Sequence, residues 1–339
     1  MRPLASVRDV DFDLDADQRA LRDAARELLA GASSMERVRA VTDGLDEDLW
    51  KQMVDQGWLA MEVAESDGGL GLGFVETAVL AEQVGAHVSP APFVSSTLAA
   101  WGLRQLDGHA DMGARLLDGA TIGTVAHAGE LVVDGPIADI ALIVDADGVR
   151  LAHGGLPAVT GLDLTRSIAA FPGGEGPHLG DAGLAAALLD RGATLYALDL
   201  LGAAQAMLDV GTEYAKVREQ FGQPIGSFQA IKHRLADALV DVEGMRSAAW
   251  YAAWAVGAGA EDASIAASVA KSWCSDAGPR VMDAVLQVLG GIGFTWEHDL
   301  HYYLKRAHLS ARTFGTGRFH RDRLATMLRE RIEAGAELW

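Results

Sequence analysis

Cysteine is nearly absent from this chain: Cys274 is the only one among 339 residues. A single thiol excludes an internal disulfide and a thiolate metal centre, and its ordinary place is a buried core position. Long apolar runs are missing too. None approaches the roughly 18 residues of a membrane helix, and the opening MRPLASVRDVDFDLD lacks the apolar segment of a secretory signal. The expectation is a soluble protein of the reducing cytoplasm with no metal centre. Basic residues are scarce, 28 Lys and Arg against 47 Asp and Glu, for a net charge of −19. Such a field repels phosphate backbones and anionic lipid, so neither nucleic acid nor membrane is an expected partner. One well-placed Arg can still hold a phosphorylated small molecule, because it acts locally. The remainder is ordinary globular material, 50% hydrophobic and 22% charged, in a chain long enough to bury a sizeable core.

Helical periodicity dominates both ends. Asp15 with Gln18 reads as a capping box, followed by the stripe Leu21, Ala24, Ala25 and Leu28. A second helix is expected over 46–56, stopped at Gly57. Helical spacing resumes after the glycine-rich Ser66–Gly73 with Val75, Ala78, Val79 and Glu82, until the prolines of Ser89–Phe93. From about 121 to 171 the chain turns β-branched and short-period. Ile140–Val144 and Val149–His153 flank Asp145-Ala146-Asp147-Gly148, a hairpin signal. This β region, about sixty residues, is too short for a large sheet. Beyond Gly183 three apolar stripes follow, through Leu200, Ala203, Ala204, Met207 and Tyr214, through Ile231 to Ala249, and through Val281 to Val288. The expected domains are 1–118 (helical), 119–182 (reduced β) and 183–339 (helical bundle and oligomer interface).

Three stretches carry chemical information. The first joins Leu49-Trp50, Gly57-Trp58-Leu59 and the glycine-rich loop with its following helix. The second runs Arg218-Glu219-Gln220-Phe221-Gly222-Gln223-Pro224-Ile225, then Phe228-Gln229, at the junction of two long helices. Gly222 and Pro224 suit a tight connection. Arg218 can present a planar fork to a pyrophosphate, or merely serve the helix dipole. The third is Gln287-Val288-Leu289-Gly290-Gly291-Ile292-Gly293-Phe294. Its glycines let a backbone approach another molecule closely, but it is not a dinucleotide fingerprint, since a helix precedes it.

Taken together these stretches resemble the acyl-CoA dehydrogenase family along nearly the whole chain. The resemblance implies a mainly α fold: an N-terminal helical domain, a reduced middle β domain and a C-terminal four-helix bundle. It implies FAD at a subunit interface, with the flavin ring on one subunit's β domain and the ADP part held by a neighbour. It carries cofactor contacts onto Arg218, Gln220, Phe221, Gln229, Gln287, Gly290 and Gly291, with Phe228 and Ile231 on the same surface. The reaction implied is α,β-dehydrogenation of an acyl thioester, in which a carboxylate base takes the α-proton, with electron-transfer flavoprotein as acceptor.

Several family features are missing. The position of the family's catalytic Glu falls on Phe314, within Arg312-Thr313-Phe314-Gly315-Thr316-Gly317. A second position known to carry the base, just before a matching Arg246, falls on Met245. Neither side chain can accept a proton. Glu243 sits about 200° around the helix from Met245, and His320 and His233 read more readily as packing or surface residues. Asp322 and Arg323 read as an exposed helix face. The flavin-cradling stretches Thr-Glu-Pro…Gly-Ser-Asp and Trp-Ile-Thr are absent from the β region, although Gly161–Arg166 resembles a family segment. No catalytic residue is therefore assigned. The chain is most similar to the short, non-catalytic subunit of α2β2 acyl-CoA dehydrogenases of bacterial steroid side-chain degradation. That resemblance implies a catalytically complete partner subunit and a steroid side-chain CoA ester held in the partner's site. Two alternatives stay open: a self-sufficient homomeric dehydrogenase or oxidase with an unrecognised base, and a non-enzymatic acyl-CoA-binding or assembly protein.

Overall fold

The computed structural model describes residues 14–41, 44–171, 173 and 177–335. The opening stretch read above for a secretory signal lies, apart from its last two residues, outside them. Helix α1 (Ala16–Ala32) begins at the capping box read from the sequence: Gln18 N–H donates to the Asp15 carboxylate at 2.8 Å and Gln18 Oε1 accepts from Asp15 N–H at 3.1 Å. Its core-facing side is Ala25, Leu29 and Ala32, with Leu21 and Leu28 packed beside them, while Ala24 faces out. Next come α2 (Met35–Ala40) and α3 (Glu47–Asp55), the latter capped by Asp46 and followed by Gly57 at φ +73°. Then α4 (Phe74–Ala86), α5 (Phe93–Arg104) and α6 (Ala110–Leu117) complete the first helical part.

The β part is small, as the pattern predicted. Strand β1 (Gly123–His127) pairs in parallel with β3 (Ile140–Asp145), and β3 pairs antiparallel with β4 (Gly148–His153) in the register Ile140↔His153. The strands β2 (Val132–Val133) and β5 (Ile168–Ala169) form a separate antiparallel pair. Asp145 Oδ1 accepts from the N–H groups of Asp147 and Gly148, which closes the β3–β4 turn.

The rest is helical: α7 (Ala182–Val217), α8 (Gln229–Ala258), α9 (Ala263–Leu289), α10 (Leu300–Ser310) and α11 (Gly317–Glu333). Between α7 and α8 sits a two-stranded ribbon, β6 (Glu219–Gln220) with β7 (Gln223–Pro224). Helix α7 is the spine, packed on α9, α4 and α8, and one continuous apolar core joins the N-terminal helices, β3 and the C-terminal bundle. Met245 and Cys274 belong to it, both fully buried.

A buried charge network pins the β part to this bundle. Arg306 of α10 donates to Asp199 of α7 (2.6 and 3.0 Å), Thr165 Oγ1 (3.0 Å) and Ser89 O (3.1 Å). Arg166 bonds Asp163 (2.8 Å) and donates to Ser310 Oγ (2.8 Å) and Arg306 O (3.1 Å). Burial alone would raise the Asp199 carboxyl, but Arg306 and Arg166 beside it hold it below its ordinary range. Every charged group has an opposite partner, as burial demands.

Candidate functional site: an open groove and a closed turn

The residues singled out from sequence fall in two places. The first is a groove of about 570 Å³ where the α7–α8 connection meets the end of α9. Helix α7 stops at Arg218, which is extended (φ −72°, ψ 121°), and Ile225 N–H closes the ribbon base on Arg218 O at 2.7 Å. Phe221 and Gly222 form the two-residue turn with φ +54° and +79°. Two positive φ values define a type I′ turn, and a bulky residue in its first position is unusual. That backbone throws the phenyl ring outward, leaving Phe221 94% exposed. Across the groove Gly290 adopts φ +63°, ψ −137°, a conformation essentially restricted to glycine, and leaves bare backbone there.

Arg218, Gln220, Phe221, Phe228, Ile231, Gly290 and Gly291 all line this groove. No carboxylate of the described residues pairs with the exposed Arg218 guanidinium. Gln229 and Gln287 stand outside the lining. Both are exposed, and Gln229 Nε2 lies 3.3 Å from His233 Nε2. The structure thus gathers five of the seven expected cofactor residues around one cavity and leaves Gln229 and Gln287 outside its lining.

The second place is the turn between α10 and α11. Phe314 is 2% exposed and adopts φ +56°, followed by Gly315 at φ +92°. Its ring lies against bare Gly192 of α7, where a Cβ would collide with it, and stacks on Tyr196 at 5.6 Å. The N–H groups of Phe314 and Gly315 donate to Glu130 Oε2 (2.6 Å) and Oε1 (2.7 Å). Glu130 comes from a tight turn after β1, and His127 Nδ1 lies 3.0 Å from its Oε1. Lys271, fully buried, donates to Gly315 O (3.0 Å), Ser310 O (2.9 Å) and Ser275 Oγ (3.0 Å), and its burial lowers the ammonium pKa to about 7.

His320 is bound into the turn: its Nε2 donates to Phe314 O at 2.7 Å, and burial pushes its pKa down to about 3, which makes it a weak proton acceptor. His233 is exposed on α8, and so is Glu243, facing away from buried Met245. Met245 packs against Cys274 and Gly278, while Phe314 lies against Gly192, Tyr196 and His127. Arg323 departs from the expected exposed face: it is partly buried and bonds Asp190 (2.6 Å) and Ser268 (3.0 Å). Asp322 is exposed as expected. Sequence reasoning missed Glu130 and Lys271 altogether. It also missed Gly192, although an isolated glycine inside a long helix is a signal of close approach.

A second cavity, about 750 Å³, lies elsewhere, between α1, α4 and α8. Arg246 there bonds Gln205 (2.6 Å), Glu243 (3.3 Å) and Glu82 (3.5 Å), and Trp250 donates to Glu82 (3.0 Å). Those partners occupy the residues at its centre with structural bonds.

Family comparison agrees with this geometry. The family model described as acyl-CoA dehydrogenase, N-terminal domain, matches residues 15–121, and the one for the C-terminal domain matches residues 182–328. The acyl-CoA dehydrogenase IpdE2 of Mycolicibacterium smegmatis is 37% identical over 92% of this chain and 98% of its own. This chain belongs to the acyl-CoA dehydrogenase family. Among solved structures, the Tcur3481–Tcur3483 steroid ACAD superposes with TM-score 0.85 at 26% identity, covering 93% of this chain and 98% of the matched one. The ChsE4–ChsE5 complex from Mycobacterium tuberculosis gives 0.84 at 25%, covering 95% and 99%. FAD complexes also occur among structures of this acyl-CoA dehydrogenase fold, PigA being one, at TM-score 0.79 and 20% identity over 95% of this chain and all of PigA. Among the described residues no helix is long and apolar enough to cross a membrane.

Proposed function

We propose that this chain is the non-catalytic subunit of a heteromeric, FAD-dependent acyl-CoA dehydrogenase, completing a partner's cofactor site without supplying the base. The observation that carries the reading is the contrast at Phe314: a phenyl ring stands where the family places its carboxylate, packed onto Gly192 with no room beside it. The groove keeps what a nucleotide end requires. Arg218 offers a planar fork for pyrophosphate, with no ion partner among the described residues, Phe221 offers an exposed ring for stacking, and Gly290 and Gly291 offer bare backbone. Gln220 lines the same cavity; Gln229 and Gln287 are exposed outside its lining. The ring end of FAD does not fit this chain, because the turn after β1 folds onto Phe314 and Gly315 instead of leaving a shelf.

Bound FAD would supply the two-electron oxidation of the Cα–Cβ bond of an acyl thioester. This chain's share is to orient the dinucleotide from the C-terminal domain, while base and thioester contacts belong to the partner. The names of relatives support the finer reading: one structural neighbour is a steroid ACAD of two differently numbered chains, and another is a complex of two named chains. We extend this to an α2β2 assembly in the cytoplasm, a steroid side-chain CoA ester as substrate, and electron-transfer flavoprotein as acceptor. The division 1–118, 119–182 and 183–339 is proposed with it, the last part forming the interface.

The test is Arg218→Ala in the co-purified pair. Losing one charge-assisted contact to pyrophosphate should weaken FAD binding about tenfold or more, read as the flavin-to-protein ratio after dialysis. Retained flavin would reject the assigned groove, and turnover of an acyl-CoA by this chain alone would reject the subunit reading.

A further inference from the structure

The turn at 314–315 holds more than an absent base. Two successive backbone N–H groups, from Phe314 and Gly315, converge on one carboxylate at 2.6 and 2.7 Å. Converging main-chain donors of this kind form an anion-binding concavity. Its backbone is strained, since Phe314 is a bulky residue at φ +56°. Such a conformation persists only where its surroundings over-determine it. Here they do: His320 Nε2 fixes Phe314 O, Lys271 Nζ fixes Gly315 O, and Glu130 fixes both N–H groups. Glu130 lies 184 residues upstream of Phe314, so this clasp joins the β part to the C-terminal bundle.

We propose that the 314–315 turn is a carboxylate-binding nest whose resident ligand is this chain's own Glu130, and that the clasp locks the remnant acyl site of this subunit shut. Three groups cooperate. Glu130 saturates the donors, the Phe314 ring covers Gly192 and stacks on Tyr196, and His127 backs the carboxylate from the far side. The Phe314 ring also faces His127 at 6.2 Å. An external acyl oxygen meets no free donor on this turn, and an acyl chain meets a ring on the bare helix. The proposal rests on the functional reading in one respect, that this turn is the counterpart of a relative's catalytic position; the nest itself rests on the contacts alone.

Hydrogen exchange of the full-length chain tests it, followed by mass spectrometry on fragments that contain 314 and 315. In Glu130→Ala the two amides should exchange about tenfold or more faster than in the wild type. Acetate at tens of millimolar should restore protection in that variant, while chloride at equal ionic strength should not. Wild type should ignore both salts. Unchanged exchange in the variant, or equal effects of acetate and chloride, would overturn the nest. Should Glu130→Ala fail to fold, Glu130→Gln keeps one acceptor oxygen and the shape of the side chain. It should release one of the two amides, and exchange identical to wild type at both would overturn the proposal. Flavin content and turnover are read separately: a chain active on its own would defeat the functional reading while leaving the nest result standing.

Discussion

The groove at the α7–α8 ribbon and the turn at Phe314 are both built from strained, positive-φ backbone carrying a phenylalanine, yet they have opposite surroundings. Phe221 is 94% exposed and Phe314 is 2% exposed. Arg218 beside the first has no ion partner among the described residues, whereas the backbone N–H and C=O groups of Phe314 and Gly315 are matched by Glu130, Lys271 and His320. Strain held by internal partners serves this chain's own packing. Strain that the ribbon holds while its side chain stays exposed is, under the proposed function, open to another molecule. On this reading the chain has kept the half of a cofactor site that serves a neighbour and filled in the half that would serve itself.

That contrast can be broken from the closed side first. Phe314→Ala removes a buried ring from a packed site and should cost about 3–5 kcal/mol in denaturant unfolding, with the flavin content of the co-purified pair unchanged. A stability loss near zero would mean that the ring is not a plug.

The pH dependence sharpens the same side. The unfolded chain protonates His320 near its ordinary pKa of 6.5, while the folded chain resists until about 3. Below 6.5 the unfolded state therefore binds more protons, and stability falls as pH drops toward 3. Above 6.5 the contribution is fully present. His320→Gln should flatten this part of the profile, and parallel profiles for variant and wild type would show that the ring is not held neutral.

The open side should behave the other way. Phe221→Gly relieves a left-handed bulky residue but loosens the unfolded chain, so stability should stay within about 1 kcal/mol of wild type. Flavin retention by the pair should nevertheless drop. Unchanged retention would reduce the exposed ring to a surface accident.

Local features were legible in the sequence because local chemistry determines them. The Asp15–Gln18 box, the stop at Gly57, the hairpin around Asp145 and the long amphipathic helices all stand where spacing put them. That Phe314 cannot accept a proton was legible too, because the residue type alone says so. Glu130, Gly192 and Lys271 were not, since each acquires its role from a neighbour far along the chain. The same is true of the Arg306–Asp199 pair and of Arg323, whose charges look solvent-bound until α10 and α11 are packed on α7. Spacing marked the groove residues but could not show that Gln229 and Gln287 lie outside its lining.

The most direct test of the division of labour is a flavin count. This chain should be purified alone and with the acyl-CoA dehydrogenase chain that co-purifies with it, and FAD measured per polypeptide in each. The account predicts essentially no FAD on the isolated chain and one FAD for each pair of unlike chains. One FAD per polypeptide in either preparation would contradict it.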